Sequence, residues 1–314
     1  MNAQTSKISI VIPLYNEQDS LAELHQNIVS VMEESDRAFE IIFVDDGSTD
    51  GSAAVLEKIY SGDRRVKVIQ FRKNYGKSAA LSAGFSAATG NSIVTMDADL
   101  QDDPTEIPNL LAKLDEGYDL VSGWKKVRRD PFSKRVASRI YNFFTYVFGG
   151  VHLHDFNCGL KAYRAEVVES IKIYGELHRY IPVLAHREGF RVTELPVKHH
   201  ERIYGKTKFG MGRFGRGAFD LITVSFLTKY RKRPLHLFGF FGIITFVTGT
   251  AISSFLAYQK IFMGENLGNR PLLFLGILLI IVGVQFFSIG LLGEMLTSAS
   301  KDTDSYLVKK RLGF

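Results

Sequence analysis

Cysteine is almost absent from this sequence: Cys158 is the single one among 314 residues. One cysteine cannot close an internal disulfide, which excludes a disulfide-stapled secreted fold and fits a reducing compartment. A signal peptide is not expected either, because the first apolar run, residues 8–14, is too short for a signal core and has no cleavage-like site. Both absences predict that the N-terminal part of the chain stays in the cytoplasm.

Charge is absent from two long stretches near the end of the chain. Residues 235–258 and 272–292 contain no Asp, Glu, Lys or Arg. As helices, at about 1.5 Å per residue, they would reach roughly 36 and 32 Å, enough to cross a hydrocarbon core of about 30 Å. The alternative is a pair of helices buried in a soluble core, but neither stretch has the polar face of a surface helix. The pattern predicts a transmembrane hairpin.

Basic residues flank these stretches unevenly. The connection between them, residues 259–271, holds Lys260 and Arg270 against Glu265, whereas the outer flanks hold Lys229, Arg231, Lys232, Arg233, Lys301, Lys309, Lys310 and Arg311. Because basic residues stay preferentially on the cytoplasmic side, both chain ends are expected there. We divide the chain into a cytoplasmic domain (1–210), an amphipathic interfacial helix with a basic linker (211–233), the hairpin (234–296) and a cytoplasmic tail (297–314).

Short apolar runs alternate with helix-like segments in the first half. The runs begin near residues 8, 40, 66, 91 and 118, and each is almost uniformly apolar, as in a parallel sheet covered on both faces. This order predicts a doubly wound α/β domain, in which ligands bind beyond the carboxyl ends of the strands. Polar residues cluster at those ends: Tyr15, Asn16, Glu17, Asp45, Asp46, Arg72, Lys73, Asn74, Asp97 and Asp99.

Two common phosphate-binding loops are missing. No G-x-G-x-x-G follows a strand, and the GKS at 76–78 lacks the glycine that a P-loop needs five residues earlier, where Phe71 stands. These absences leave an acidic site, at which phosphates would bind through a cation. In TMDADLQDDP (95–104), Asp97, Asp99 and Gln101 offer the hard oxygen ligands that suit Mg²⁺ or Mn²⁺. We assign Asp102 and Asp103, ahead of Pro104, mainly to a helix N-terminus.

In this order and spacing, VIPLYNE, VDDGSTDGS and DADLQDDP resemble the family 2 glycosyltransferases with a GT-A fold. CGLKAYR (158–164) and ERIYGKTKFG (201–210) are similar to the polyprenyl-phosphate branch, the relatives of dolichyl-phosphate mannose synthase and of bacterial undecaprenyl-phosphate glucosyltransferases. The resemblance covers essentially the whole chain. It implies a Rossmann-like GT-A domain with a mostly parallel sheet, followed by a two-helix hairpin in a bacterial inner membrane.

The resemblance also implies roles for individual residues. The nucleotide sugar would contact Pro13, Tyr15, Glu17, Asp97 and Ala98, with Asp45 and Asp46 at the base and ribose. The metal and diphosphate would lie among Asp97, Asp99 and Gln101, with Arg202 on the diphosphate. Further candidates are Lys77, Asp155 (ordering the catalytic loop), and His178 and Arg179 on the acceptor side. Two alternatives stay open: Tyr15 could cap the sheet edge, and Asp46-Gly47-Ser48 could be a turn that needs no ligand.

A basic run supplies the charge that an anionic acceptor needs. Residues 125–139 hold seven Lys or Arg residues, and on a helix Arg135, Ser138 and Arg139 would share a face beside Lys134 and could bind one phosphate. We assign the first part, Lys125, Lys126, Arg128 and Arg129, to anionic lipid headgroups. The apolar segment 141–150 is too short to span a membrane and is expected at its interface.

A second basic segment, the loop that contains Arg202, Tyr204, Lys206 and Lys208, could close over the donor, or it could be a linker to the membrane helices. Residues 211–230 are expected to form an amphipathic helix that lies on the membrane or packs against a neighbouring subunit of a dimer or tetramer. The histidines in HLHD (152–155) and HHE (199–201) do not form a zinc ligand set, and we interpret them as surface or interfacial residues. Cys158 is expected to be a small buried hydrophobe.

The predicted function is metal-dependent, inverting transfer of one sugar from a nucleotide diphosphate sugar to a polyprenyl phosphate. UDP-glucose is the first candidate donor, followed by GDP-mannose and UDP-N-acetylglucosamine, and no nucleic-acid partner is expected. A processive polysaccharide synthase is an alternative, although the single tryptophan, Trp124, is not in the Gln-x-x-Arg-Trp signature of those enzymes. A non-catalytic scaffold or flippase accessory protein is the other alternative.

Overall fold

One mixed sheet organises the first part of the chain. The computed structural model describes residues 7–35, 37–126, 150–175, 177–201, 234–264 and 271–299. The strands of its seven-stranded sheet are β1 (Ile8–Leu14), β2 (Phe39–Asp45), β3 (Val66–Gln70), β4 (Ser92–Thr95), β5 (Leu120–Trp124), β6 (Lys161–Arg164) and β7 (Val192–Pro196), in the spatial order β3-β2-β1-β4-β6-β5-β7.

The predicted parallel sheet is confirmed, with one addition. β1 pairs in parallel with β2 and β4, β2 with β3, and β5 with β7. β6, which the sequence interpretation did not include as a strand, lies between β4 and β5 and is antiparallel to both. β1 is therefore the switch point of the sheet, because the chain leaves it on one side through β2 and β3 and returns on the other side as β4.

Helices cover both faces of the sheet. One core contains alternate residues of β1 and β2 with the buried faces of α1 (Leu21–Glu34), α2 (Ser52–Gly62) and α4 (Ile107–Asp115). The other contains the intervening strand residues with α3 (Lys77–Ala87), α5 (Ala165–Ser170) and α6 (Ile181–Arg187). Burial on both faces explains why the strands are uniformly apolar. Short 3₁₀ segments, Pro104–Glu106 and Leu177–Tyr180, precede α4 and α6.

Two long apolar helices form the second unit, described here by itself. The chain divides into compact units at residues 1–224 and 225–314. In the second, α7 (Pro234–Met263) and α8 (Pro271–Ala299) contain the predicted spans and are long and apolar enough to cross a membrane. Their backbones approach closely at glycines, because a Cβ on Gly249 would lie 2.6 Å from the Gly276 carbonyl oxygen.

Several predicted segments lie outside the described residues. These are most of the basic run, with Lys134, Arg135, Ser138 and Arg139, the interfacial segment 141–149, the loop with Arg202, Tyr204 and Lys206, and the amphipathic segment 211–230. Their assigned roles stay predictions.

Candidate active site

The loops after β1 and β2 are joined by hydrogen bonds at the switch point of the sheet. The Asn16 amide donates to Ser48 Oγ at 2.8 Å, and the Thr49 amide donates to Asn16 Oδ1 at 2.7 Å. Asn16 has a φ of +53°, a left-handed conformation that asparagine tolerates better than most residues. The Glu17 amide donates to Ser52 Oγ at 3.1 Å. The segment that contains Tyr15 and Glu17 is thus held beside the turn that follows β2.

Asp46 and Gly47 hold the loop that leads into α3. The Asp46 carboxylate, which is 4% exposed, accepts from the Tyr75 amide at 2.7 Å and from the Gly76 amide at 2.8 Å. Gly47 has a φ of +72°, and a Cβ there would lie 2.4 Å from the Lys73 carbonyl carbon. The backbone therefore leaves no room for a side chain at this position. These contacts agree with the turn interpretation of Asp46-Gly47-Ser48.

Asp45 is occupied in a similar way. Its carboxylate is fully buried and accepts from the Ser48 amide at 2.9 Å and from Gln70 Nε2 at 3.2 Å. Both carboxylates that were predicted to contact the nucleotide therefore order the loops that follow β2 and β3. Direct contact of Asp45 or Asp46 with a ligand stays a prediction.

Asp97 lies just beyond β4 and faces a cation. Its carboxylate forms an ion pair with the Lys77 ammonium at the start of α3, and each of the two side chains is about one-third exposed. On its other side Asp97 packs on Gly159, where a Cβ would lie 2.6–2.8 Å from the three carboxylate atoms. The structure thus brings together two predicted site residues, Asp97 and Lys77, with a glycine that the sequence interpretation did not single out.

The remainder of the acidic loop folds tightly. Leu100 has a φ of +59°, an uncommon conformation for a non-glycine residue, which turns the chain so that the Gln101 amide donates to Asp99 Oδ1 at 3.2 Å. The Ala98 carbonyl accepts from Ser20 Oγ at 2.6 Å. Asp99 is 8% exposed and Ala98 is 4% exposed. The loop is therefore held by the start of α1 as well as by its own turn.

Asp103 and Asp102 differ from each other in the structure. Asp103 caps the helical segment as predicted, because its Oδ1 accepts from the Thr105 amide at 2.9 Å. The assignment of Asp102 to the same helix end was wrong. Asp102 is 2% exposed, and its carboxylate points into the protein, where Oδ1 lies 3.3 Å from the Lys125 ammonium.

Lys125 also differs from its predicted place among the lipid headgroups, because its side chain is only 17% exposed. It follows β5, whose end reaches the same edge of the sheet as Asp97. Burial alone would raise the pKa of Asp102, but the Lys125 ammonium, with a smaller contribution from His199, lowers it well below its usual range. Burial alone would lower the pKa of Lys125, and the Asp102 charge raises it well above its usual range. The two groups therefore form a buried ion pair.

The segment after β7 is bound to the acidic loop. Asp102 and His199 form an antiparallel bridge, and the His200 amide donates to the Gln101 carbonyl at 2.8 Å. Gln101 Nε2 donates to the His200 carbonyl at 3.3 Å. His199 is partly buried, with 19% of its side chain exposed, whereas His200 is 55% exposed. The described chain that leads towards Arg202 thus lies beside the acidic loop.

Two further predicted residues, His178 and Asp155, lie near this centre. His178 Nδ1 is 3.0 Å from Ser78 Oγ, next to Lys77. Asp155 is fully buried, and its Oδ1 accepts from the Asn157 amide at 3.0 Å, which orders the turn before Gly159. Its role in ordering the catalytic loop stays a prediction.

Below Asp97 lies a buried layer that sequence reasoning missed in part. Cys158 is buried as predicted, and burial raises the pKa of its thiol to about 12. Lys161, at the start of β6, is 4% exposed, and its ammonium donates to the Cys158 carbonyl. Burial lowers the pKa of Lys161. Gly159 and Lys161 both fall within CGLKAYR, a segment that drew attention for its resemblance and not for its chemistry.

The oxygen ligands at this site suit a divalent cation whose coordination shell is completed by phosphate oxygens. Among the described residues, no group of three or more His, Cys, Asp or Glu could hold a metal ion by itself. Asp97, Asp99 and Gln101 offer two carboxylates and an amide oxygen, and Mg²⁺ commonly binds through one or two carboxylates plus phosphate oxygens. The Lys77 ammonium against Asp97 shows that this position accommodates positive charge. The residues therefore fit such an ion.

Comparisons with known proteins agree with this geometry. Residues 9–172 match the model of glycosyl transferase family 2. The chain is 35% identical to "Dodecaprenyl-phosphate galacturonate synthase" of Rhizobium johnstonii, over 98% of this chain and 93% of that protein. It is 37% identical to "Undecaprenyl-phosphate 4-deoxy-4-formamido-L-arabinose transferase" of Salmonella choleraesuis, over 93% of this chain and 88% of that protein.

Solved structures support the fold alone. Glucosyl-3-phosphoglycerate synthase from Mycobacterium tuberculosis, in a complex with Mn²⁺, UDP and phosphoglyceric acid, superposes with a TM-score of 0.53 at 20% identity, covering 71% of this chain and 78% of that one. Mannosyl-3-phosphoglycerate synthase from Rubrobacter xylanophilus gives a TM-score of 0.54 at 17% identity, covering 70% and 73%. The predicted GT-A fold is confirmed.

Proposed function

The chain belongs to glycosyl transferase family 2 and is a glycosyltransferase, and from this premise we propose that it moves one sugar from a nucleotide diphosphate sugar to a polyprenyl phosphate. Relatives that align over nearly their whole length are named for transfer to dodecaprenyl and undecaprenyl phosphate, which supports the acceptor class. The observation that carries the proposal is that Asp97 and Asp99 follow β4, the neighbour of β1 at the switch point of the sheet, with the Lys77 ammonium against Asp97.

The proposed reaction brings together two anions, the donor diphosphate and the acceptor phosphate. Lys77, which is paired with Asp97, would contact the donor diphosphate, and Asp46 and Gly47 hold the loop that leads to it. A phosphate monoester has a second pKa of about 6, so the acceptor is already a dianionic nucleophile for much of the time at neutral pH. The reaction therefore needs positive charge to bring the acceptor to the donor more than it needs a general base. Direct attack by this phosphate would invert the configuration at the anomeric carbon of the sugar.

Asp97, Asp99 and Gln101 would hold a Mg²⁺ or Mn²⁺ ion. Such an ion, when bound, would offset the charge of the leaving diphosphate. Lys134, Arg135, Ser138 and Arg139 for the acceptor phosphate, and Arg202 for the diphosphate, lie outside the described residues and stay part of the proposal.

The donor sugar is the least constrained part of the proposal. UDP-glucose was the first candidate from the sequence, yet the two relatives reported above are named for galacturonate and for 4-deoxy-4-formamido-L-arabinose. These names favour testing an acidic and a modified pentose donor beside UDP-glucose, GDP-mannose and UDP-N-acetylglucosamine.

The membrane placement is also proposed. The two apolar helices and the polyprenyl acceptors of the relatives support a multi-pass protein of the bacterial inner membrane with its catalytic domain in the cytoplasm.

A transfer assay tests the proposal directly. Full-length protein in nanodiscs would be incubated with undecaprenyl phosphate, Mn²⁺ and each labelled nucleotide sugar, and organic-phase label would be measured. We expect one donor to give a lipid-phosphate-sugar that carries a single sugar, with the anomeric configuration opposite to that of the donor. The Asp99→Ala variant should lose about 100-fold or more of this activity, because it removes a ligand of the cation that would offset the negative charge of the leaving diphosphate. Absence of lipid-linked label with every donor, or near-normal turnover by Asp99→Ala, would overturn the proposal or its metal site, respectively.

The number of sugars in the product distinguishes single transfer from processive synthesis. A processive polysaccharide synthase would add many sugars to one acceptor, so mass spectrometry of the lipid product distinguishes it from single transfer. The non-catalytic scaffold is at odds with membership of a transferase family, whose model matches residues 9–172, and with a sugar-transferring relative that aligns over 98% of the chain.

A further inference from the structure

A buried ion pair lies directly behind the acidic loop. Asp102 is 2% exposed and Lys125 has a side chain only 17% exposed, with 3.3 Å between the ammonium and Oδ1. Lys125 is part of a basic run, and a solvated cation on a lipid surface would not bring its ammonium into the protein. The position of this ammonium therefore calls for an internal role.

Asp102 touches the predicted metal-binding segment through its second oxygen. Oδ2 accepts from the Asp97 amide at 3.4 Å, a long hydrogen bond to the backbone of the residue that would bind the cation. Its first oxygen, besides Lys125, lies 3.8 Å from His199 Nδ1, and the backbones of Asp102 and His199 form a bridge. One carboxylate thus joins the acidic loop, the end of β5 and the segment after β7.

The ammonium allows this carboxylate to stay charged inside the protein. A buried carboxylate that loses its lysine partner is strongly unfavourable, so the side chain would turn towards solvent or the loop would shift. Either movement would carry the Asp97 backbone with it. The position of Asp97 therefore depends on a lysine 28 residues away in the sequence.

We propose that Lys125 is a positioning residue, which holds Asp97 and Asp99 in their cation-binding arrangement through Asp102. It contacts neither donor nor acceptor in this role. The proposal rests on the metal site of the proposed function, but its structural part, the order of the acidic loop, can be measured without any metal.

A charge cycle tests the role. The variants are Lys125→Met, Asp102→Asn and the double variant. In the double variant both charges of the pair are removed, and the neutral amide can still accept from the Asp97 amide. Amide exchange of residues 95–103 would be followed by mass spectrometry without ligands, and Mn²⁺ binding would be followed by electron paramagnetic resonance. Lys125→Met should exchange faster and bind Mn²⁺ about 10–100-fold more weakly. The double variant should recover to within about threefold of the unsubstituted protein, because the two sites are directly coupled.

The matched control is Lys126→Met, which removes the next and exposed lysine of the same run. It should leave both the exchange rate and Mn²⁺ binding unchanged. The proposal is overturned if Lys125→Met leaves amide exchange unchanged and only raises the concentration of undecaprenyl phosphate that gives half-maximal activity. It is also overturned if the double variant shows no recovery relative to Lys125→Met. If the unsubstituted protein binds no Mn²⁺, the metal site fails, and the exchange data still decide whether Lys125 orders the loop.

Discussion

At the scale of single residues, Asp97 is held between a cation and a glycine. Lys77 forms an ion pair with its carboxylate, and Gly159 leaves the space into which that carboxylate packs. The φ of Gly159 is not in the left-handed region, so its importance comes from the close approach of Asp97 and not from backbone conformation. The position therefore tolerates no side chain unless Asp97 moves.

Replacement of Gly159 by alanine tests this packing. The new Cβ would lie 2.6–2.8 Å from the Asp97 carboxylate atoms, which forces the carboxylate away from its place. We expect Gly159→Ala to lower kcat/KM by roughly 10–100-fold, the range seen when groups that orient metal ligands are altered. Gly62→Ala is the matched control, since a Cβ there meets nothing within 4 Å. Equal activity of the two variants in the transfer assay would contradict the prediction.

Residue types at strand ends could be predicted from the sequence, but their partners could not. Asp97 and Asp99 were identified because carboxylates after an apolar run stand out, whereas Lys77 was a candidate that the family resemblance implied. Lys125 was misplaced because a basic run looks uniformly solvated, and only the end of β5 shows which member points inward. Asp102 was misplaced because its partner, Lys125, is distant in the sequence.

At the scale of elements, the strands with continuous apolar residues were predictable, and β6 was not. β6 has only four residues, Lys161–Arg164, and begins and ends with a basic residue. Its place between β4 and β5 depends on antiparallel pairing on both sides, which no local pattern encodes. The predicted sheet was therefore right in type and incomplete in order.

The opposite edge of the sheet, where the strands begin, contains a buried carboxylate. Glu40 of β2 is 2% exposed and accepts from Ser9 Oγ at 2.6 Å, from the Lys7 ammonium at 2.7 Å and from the Thr89 amide at 2.8 Å. Burial alone would raise the pKa of Glu40, but these bonds and the Lys67 ammonium lower it well below its usual value. The network joins β1, β2, β3 and the end of α3.

Loss of this carboxylate charge should destabilise the domain in a pH-dependent way. Because the folded-state pKa of Glu40 is lowered, its stabilisation is present above the unfolded-state pKa of about 4.3 and is lost as pH falls towards the folded-state value. Glu40→Gln should lower the free energy of unfolding at neutral pH by about 1–3 kcal/mol, since buried donors lose their charged acceptor. The difference in Tm from the unsubstituted protein should shrink below about pH 4.

Thermal unfolding of the full chain in detergent between about pH 7 and about pH 3 measures this difference. Glu57→Gln, on the exposed face of α2, is the control and should leave Tm unchanged at every pH. A Tm difference for Glu40→Gln that stays constant, or grows, as the solution is acidified would contradict the prediction.

At the scale of the whole molecule, the second unit is held by close backbone packing. In α7, Gly242 and Gly249 are seven residues apart, and in α8 Gly276, Gly283 and Gly290 repeat at the same interval. A Cβ on Gly242 would lie 2.9 Å from the Gly283 carbonyl oxygen, so the glycines allow the two backbones to touch. Small residues at helix contacts are typical of membrane helices, where packing and not water exclusion drives association. Both apolar length and this packing favour a membrane hairpin.

The direction of the hairpin can be tested because the chain has one buried cysteine. Cys158 is 1% exposed, so a thiol reagent should not label the unsubstituted protein. We expect Asn266→Cys, in the poorly charged connection, to react with a membrane-impermeant maleimide in intact bacterial cells. Ser305→Cys, in the basic tail, should react only after permeabilisation, because cations are retained on the cytoplasmic side. The opposite labelling would reverse the orientation and place the catalytic domain outside, whereas protection of both cysteines in intact cells would mean that the helices do not cross the membrane.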